Sequence, residues 1–311
     1  MYGAVMRIYI AGINGMVGSA LNRAATAQGH VTLGRISREV DFRDRQSTFA
    51  ELESNDFDTL IIAAAKVGGI VANNDLPVDF LSENLQIQTN LIDAAHACDI
   101  PRLVFLGSSC IYPKFAPQPI QEESLLTGTL EPTNEAYAIA KIAGLTLVNS
   151  YRKQHGRHWI SVMPTNLYGP GDNFNPHSSH VIPGLIQKFE NARALNSPFV
   201  TLWGDGSPRR EFLHVDDLAR AVLHAMQHHD SEIALNIGTG NDISIVELAK
   251  IIQELCGYEG EVLWDINQPN GTPRKLLDSS RIFSLGWRPE ILLANGLQET
   301  LQWYRDSQEM I

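Results

Sequence analysis

The sequence predicts an α/β fold: a parallel sheet wound by helices on both faces, followed by a smaller C-terminal α/β unit. Three observations carry this. Short apolar runs alternate with helix-spaced segments through the first half of the chain. Those runs are continuously apolar, as strands are when helices cover both faces. The first of them ends in a cluster of glycines.

The elements follow in order. RIYIAG (7–12) is a strand rich in β-branched and aromatic residues that ends on glycine. INGMVGSALNRAATAQG (13–29) spaces its apolar residues for a helix, with Gly29 as the stop. HVTLGR (30–35) and DTLIIAAAK (58–66) read as strands, and FLSENLQIQTNLIDAAHACD (80–99) as a helix. RLVFLG (102–107) is the next strand, and 133–153 the next helix. From ISVMPTNLYGPGDNFNP (160–176) onward, Pro and Gly come at close spacing and the pattern loosens. The boundary between a first unit, 1–165, and a second, 166–311, is therefore expected there. FLHVDDLARAVLHAM (212–226) and LNIGTG (235–240) are expected to return to the first unit.

Composition narrows the function classes. The chain has 311 residues, 44% hydrophobic and 19% charged, with a formal net charge of −11. No general affinity for nucleic acid or an anionic membrane is expected from that charge, so a phosphate-bearing ligand needs local cations. The 3 cysteines, Cys98, Cys110 and Cys256, show neither a disulfide framework nor CxxC spacing. His224 and His228 stand four apart beside His229, yet no third ligand lies close in sequence, and no metal is expected. Nothing resembles a signal peptide or a spanning helix. Asn270-Gly271-Thr272 is a formal glycosylation sequon, discounted because Pro273 follows it and the chain reads as cytosolic. A cytoplasmic protein is expected.

Gly12, Gly15 and Gly18 form G-x-x-G-x-x-G where the first strand turns into the first helix. Glycines there permit a tight turn, close approach of backbone to a pyrophosphate and close packing of helix on sheet. The helix N-terminus supplies free N–H groups for that pyrophosphate. This is a Rossmann-type dinucleotide site. LGRISRE (33–39) then places Arg35 and Arg38 at the end of the second strand, with no acid before Glu39. An acid there would hold a ribose 2′-hydroxyl, whereas arginines suit a 2′-phosphate. NADP(H) is the expected cofactor.

Tyr137 and Lys141 stand as Y-x-x-x-K in EAYAIAK, a spacing that stacks both on one helix face. A strand ending in Ser108-Ser109 precedes that helix. A lysine ammonium beside the phenol, together with an oxidised nicotinamide, is expected to favour phenolate. Ser108 and Tyr137 can then share negative charge developing on a carbonyl oxygen. The set points to carbonyl reduction.

The glycine motif, the Ser…Tyr-x-x-x-Lys set and REFLHVDDLARA (210–221) resemble the extended short-chain dehydrogenase/reductases. More narrowly, AAAKVGGIVANN (63–74), GSSCIYPK (107–114), LEPTNEAYAIAKIAG (130–144), MPTNLYGPGDNF (163–174), HVIP (180–183) and NGTPRKLLD (270–278) resemble the GDP-L-fucose synthase family. Its members are bifunctional 3,5-epimerase/4-reductases of GDP-4-keto-6-deoxy-D-mannose. The resemblance implies Cys110 as a carbon base and His180 as the opposing acid, beside Ser108, Tyr137 and Lys141. A 4-keto group acidifies the hydrogens on C3 and C5, so a thiol and an imidazole have work there. The resemblance also implies Asn14, Met16, Val17, Ala64, Leu106, Gly107 and the turn Pro164, Asn166, Leu167 along the cofactor, with Lys141 and His180. For the GDP-sugar it implies Lys188, Trp203, Arg210, Asn270 and Lys275.

Two departures stand out. Asn14 occupies a place where the family often carries Arg, and Asn270 replaces a common acid before GTPRKLLD. The nearest alternative is a GDP-colitose-type synthase acting on a 3-deoxy sugar; a non-catalytic NADPH-sensing protein would have no use for Tyr137, Lys141 or Cys110. The helix at 133–153 offers Ile139, Ala140, Ile142, Ala143, Leu145, Leu147 and Val148 on more than one face. A homodimer is expected in which this helix and 80–99 meet their symmetry mates as a four-helix bundle.

Overall fold

The computed structural model describes residues 5–268 and 270–309. Its strands are β1 (Arg7–Ala11), β2 (Val31–Leu33), β3 (Thr59–Ile62), β4 (Arg102–Leu106), β5 (Ile160–Pro164), β6 (Asn166–Tyr168), β7 (Phe199–Trp203), β8 (Arg209–His214), β9 (Leu235–Ile237), β10 (Asp242–Ser244), β11 (Glu261–Asp265) and β12 (Arg274–Lys275). The helices are α1 (Met16–Ala27), α2 (Arg45–Glu53), α3 (Ile70–Asp75), α4 (Pro77–Ala97), α5 (Glu135–His155), α6 (Val181–Ala194), α7 (Val215–His228), α8 (Ile245–Cys256), α9 (Ser280–Ser284) and α10 (Leu293–Glu309).

Six strands form an all-parallel sheet in the order β2-β1-β3-β4-β5-β9. Alternation along β1 shows why it needs two layers of helices. Ile8 and Ile10 enter one core with Leu21 of α1 and Leu218 and Val222 of α7. Tyr9 and Ala11 point the other way, into a core with Leu91 of α4, Val148 of α5 and Trp159. The sheet is the Rossmann-type arrangement the sequence predicts, and β1 lies at its switch point, with β2 and β3 on either side.

Boundaries differ from the sequence reading where local contacts intervene. The glycine turn occupies 12–15, so α1 begins at Met16 rather than at 13. The third strand stops at Ile62 instead of 66, and the chain leaves the sheet toward α3. Residues 212–214 lie in a second sheet, where β8 pairs with β6, β10 and β12. The return to the first sheet is made by α7, which packs on α1, and by β9, which pairs with β5. Strands β7 and β11 form a separate parallel pair. Tyr168, Ile182, Phe189, Leu202, Phe212, Leu248, Ile252 and Leu297 share a third core beneath this part.

One buried side chain ties these layers together. Glu211 of β8 has no exposed surface; its Oε1 accepts from the amides of Thr239 and Gly240, both at 2.7 Å, and its Oε2 from Leu277 at 3.0 Å. Its own carbonyl accepts from Asn166 Nδ2 at 2.7 Å. Burial raises the carboxyl's pKa while the amide donors pull it back down. The histidines that sequence spacing singled out are structural: His224 Nε2 lies 2.8 Å from the Leu285 carbonyl and His228 Nδ1 2.9 Å from that of His224. Among the described residues no helix is long and apolar enough to cross a membrane.

Glu211→Ala leaves three amide donors without their acceptor. Buried unsatisfied donors are costly, and a loss of about 3 kcal/mol or more in urea unfolding is expected. A loss below about 1 kcal/mol would show that these amides find other partners.

Candidate active site

The glycine turn is closed to side chains. Gly12 adopts φ +87°, and a Cβ there would lie 2.8 Å from the Ala64 amide nitrogen at the end of β3. A Cβ on Gly18 would lie 2.0 Å from the Gly12 carbonyl oxygen, so α1 and β1 meet backbone to backbone. Gly15 precedes α1 without a side-chain cap, which leaves the first amides of the helix, those of Met16 and Val17 among them, free to face an anion. These features fit a dinucleotide pyrophosphate. At the end of β2, Arg35 Nε donates to Glu51 Oε1 at 3.1 Å, while Arg38 is exposed with no ion-pair partner among the described residues. Asn14 is exposed at the turn.

The reducing cluster is built at the end of β4. Ser108 leaves the strand extended and caps a single 3₁₀ turn, Ser109–Ile111, its Oγ accepting from the Cys110 amide at 3.2 Å. Helix α5 lies against this turn and carries Tyr137 and Lys141 on one face. Lys141 is 3% exposed and donates to the Leu106 carbonyl at 2.9 Å, with its Nζ 5.8 Å from the Tyr137 ring centre. Burial lowers the Lys141 pKa to about 8. The protein groups around Tyr137 do not by themselves favour a phenolate. Burial, and then the Cys110 sulfur, push its pKa up, and the Ser108 hydrogen bond only partly offsets them. Lys141 spends its nearest contact on the Leu106 carbonyl and not on the phenol, so Tyr137 stands as a protonated acid.

Cys110 is surrounded by cations and donors. Lys275 Nζ lies 3.3 Å and Asn134 Nδ2 3.5 Å from its Sγ. Burial opposes the thiolate, yet Lys275, the Ser108 hydrogen bond and the Arg210 guanidinium outweigh it, and the thiol sits below its ordinary range. Arg210 is itself pulled down by burial, against the attraction of Cys110 and Glu131. The pairing of β12 with β8 sets Lys275 opposite Arg210, placing both cations at the thiol.

His180 precedes α6 and is positioned by backbone contacts upstream. The Gly69 amide donates to the Ser178 carbonyl at 2.9 Å, clamping the loop before His180 against the glycine pair that starts α3. His180 is an exposed residue, although protein atoms crowd around its ring. Burial first, and Lys275 second, lower its pKa. Lys275 thus acts electrostatically on both Cys110 and His180.

The remaining sequence-predicted residues are more dispersed. Gly107 donates to the Val162 carbonyl at 2.9 Å, and Pro164, Asn166 and Leu167 span the step from β5 to β6. Lys188 is exposed on α6 and donates to the Thr201 carbonyl at 3.1 Å; Trp203 is exposed at the end of β7. Asn270 Oδ1 accepts from the Asp205 amide at 3.1 Å, which fixes the side chain through its oxygen. Two surface hollows lie elsewhere, one lined by Arg102 and His158, the other by Arg23 and Trp303.

Comparison with known proteins shows the family. The NAD dependent epimerase/dehydratase family model matches residues 8–238. GDP-L-fucose synthase of Escherichia coli K12 is 51% identical over 313 residues, covering 97% of this chain and 98% of that one. Probable GDP-L-fucose synthase 1 of Oryza sativa subsp. japonica is 51% identical over 300 residues, covering 96% and 92%.

The chain belongs to the GDP-L-fucose synthase family.

A GDP-L-colitose synthase of Yersinia pseudotuberculosis is more distant, 35% identical over 301 residues, with 96% and 98% covered. Among solved structures, a GDP-L-fucose synthetase of Naegleria fowleri bound to NADP superposes with a TM-score of 0.89 at 26% identity, covering 97% and 94%.

Within this GDP-L-fucose synthase scaffold, the sequence reading missed one group at the thiol and another that acts on Arg210. Asn134 precedes α5 where an asparagine normally caps the helix, but its side chain makes no cap and turns to Cys110 instead. Glu131 pairs with Lys114 at 2.8 Å and accepts from Thr272 Oγ1 at 3.4 Å, closing the site on the side of the 270–278 segment. Both lie in LEPTNEAY, directly before the tyrosine, and that crowding of polar groups ahead of the helix was the available signal.

The thiol's environment has a direct readout. Iodoacetamide alkylation of Cys110, followed by mass spectrometry against pH, is expected to show a midpoint below that of an ordinary thiol. Lys275→Met is expected to move the midpoint upward, because it removes the strongest stabiliser of the thiolate. An unshifted midpoint in Lys275→Met would contradict the assignment.

Proposed function

We propose that the protein makes GDP-L-fucose from GDP-4-keto-6-deoxy-D-mannose, first epimerising C3 and C5 and then reducing C4 with NADPH. One observation carries the reading: a thiol 3.3 Å from an ammonium lies in the same cleft as a Ser–Tyr–Lys reducing set. Reduction alone has no need of that thiol.

The residues divide the work as follows. Cys110 removes the proton on C3 and, in a second round, the one on C5. Each removal leaves enolate charge on O4, where the Ser108 and Tyr137 hydroxyls donate to it. His180 returns a proton on the opposite face. Its lowered pKa makes the imidazolium a stronger donor, at the expense of its abundance near neutrality. Bound NADPH supplies the hydride that reaches C4. Tyr137, held protonated by burial and by Cys110, then gives O4 its proton. Lys141 anchors that helix turn to β4.

Gly12, Gly15 and Gly18, the start of α1, Arg35 and Arg38 hold the cofactor in the first unit, 1–165 with its returning segments near 212–240. Arg210, Lys188, Trp203 and Asn270 hold the GDP-sugar in the second, 166–311, with Lys275 serving both the pyrophosphate and the thiol. The net charge of −11 leaves nucleic acid and anionic membranes as poor partners. Three unpaired thiols fit a reducing, cytoplasmic setting. The chain acts as a homodimer through α4 and α5, which pack side by side and leave Ile139 44% exposed on the outer face. A monomer by light scattering at micromolar concentration would contradict the dimer.

Deuterium wash-in from D₂O, with NMR of recovered substrate, separates the two chemistries. Cys110→Ser is expected to lose exchange at C3 and C5 by about 10²–10⁴-fold, as general-base losses do, while slow reduction of the unepimerised ketone persists. Tyr137→Phe is expected to block reduction while exchange continues. Normal exchange in Cys110→Ser would return the thiol to a packing role. Turnover of a 3-deoxy substrate in preference to the 3-hydroxy one would favour the colitose alternative.

A further inference from the structure

The end of β2 holds an interaction that the cofactor reading does not use. Arg35 Nε donates to Glu51 Oε1 at 3.1 Å, and the same oxygen accepts from Tyr9 Oη at 3.1 Å and Asn55 Nδ2 at 3.0 Å. The Glu51 side chain is 11% exposed, whereas that of Arg35 is 47% exposed. Glu51 lies on α2, and Tyr9, on β1, is fully buried in the core behind it. A carboxylate held by three donors is fixed in place, so the guanidinium is the mobile partner of the pair.

Position gives this pair its meaning. A Cβ on Gly34 would lie 2.7 Å from the Ile10 carbonyl oxygen and 2.8 Å from Ile13 Cβ, so β2 ends against the glycine turn. Arg35 follows immediately, at the place where a dinucleotide fold reads the adenosine ribose. In such folds an acid selects the 2′-hydroxyl and an arginine the 2′-phosphate. Here both kinds of group are present, the acid arriving from the next helix. Glu51 engages the Nε edge of Arg35 and leaves its two terminal amino groups for a ligand. Its negative charge nevertheless cancels part of the field that a phosphate dianion would meet. Glu39, the other acid nearby, has Oε2 occupied by its own turn, accepting from the Ile36 amide at 3.1 Å.

We propose that Glu51, acting through Arg35, sets how strongly this chain prefers NADP(H) over NAD(H), and that it weakens the preference. The proposal rests on the dinucleotide reading above. Glu51 is a positioning residue, since it touches Arg35 and not the reacting atoms. Glu51→Gln keeps an oxygen able to accept from Tyr9, Asn55 and Arg35 but removes the charge.

Calorimetric titration with NADP⁺ and with NAD⁺ tests this without turnover, in the unmodified chain, Glu51→Gln, Arg35→Ala and the double variant. Glu51→Gln is expected to tighten NADP⁺ by about 2- to 5-fold, the scale of a half-exposed charge pair, and to leave NAD⁺ unchanged. In the Arg35→Ala background that gain is expected to vanish. Equal effects on both cofactors, no effect, weaker NADP⁺ binding, or a gain that survives Arg35→Ala would each overturn the proposal. Should Glu51→Gln fail to fold, Tyr9→Phe serves in its place. It strips a donor from the carboxylate, throws more of its charge onto Arg35 and is expected to weaken NADP⁺ selectively; equal weakening of both cofactors, or none, overturns the proposal. Failure of the cofactor reading looks different: the unmodified chain would bind NAD⁺ at least as tightly as NADP⁺, and Arg35→Ala would change neither.

Discussion

The placement of the candidate site's groups depends on a single buried carboxylate, Glu211, with no ion-pair partner among the described residues. Glu211 accepts from amides in the loop after β9 and in the segment after β12, while its backbone receives Asn166. Three stretches distant in sequence are thereby fixed on β8. A lysine or arginine partner could neutralise such a carboxylate but could not fix three backbones at once. Amide donors do both, because each is strong, directional and otherwise unsatisfied. The strand carrying Lys275 is only two residues long, so its position relies on this anchorage as much as on its pairing with β8.

Lys275 then links the chemistry to the ligand. It lies 3.3 Å from the Cys110 sulfur, whose thiolate form it favours, and adds to burial in lowering the pKa of His180. These are the two groups proposed to move protons in opposite senses. One neighbouring cation thus favours the deprotonated thiol and makes the imidazolium readier to give up its proton. Tyr137 is driven the other way by the same thiolate, and so remains protonated for a later step.

What could be read from the sequence followed from range. The glycine turn, the Tyr137–Lys141 face and the alternation of strands and helices are local patterns, and they reappear with shifts of a few residues at their ends. The meeting of Cys110 with Lys275 bridges 165 positions and has no local signature. It was accessible only through resemblance, which named both residues but not their contact. Arg35 reads as a free phosphate ligand until the fold brings α2 beneath it. Lys141 was expected to lower the Tyr137 pKa, an inference from helical spacing that could not include the Leu106 carbonyl or the burial of the phenol. Glu211 in REFLHVDD gives no sign in sequence that three amides will surround it.

The topology adds a mechanical consequence. Cys110 hangs from the first sheet and Lys275 from the second, and the chain passes between these sheets at 164–166, at 214–215 and again between 237 and 242. Several parallel tethers leave no single peptide to serve as a hinge, so the two halves resist being pried apart. The thiol's acidity belongs to neither half alone. It is a property of their alignment, and moving Lys275 away from the sulfur would return the thiol toward its ordinary range. The joint between the sheets therefore arms the base, and the groups that hold the joint together govern reactivity without coming near the sugar.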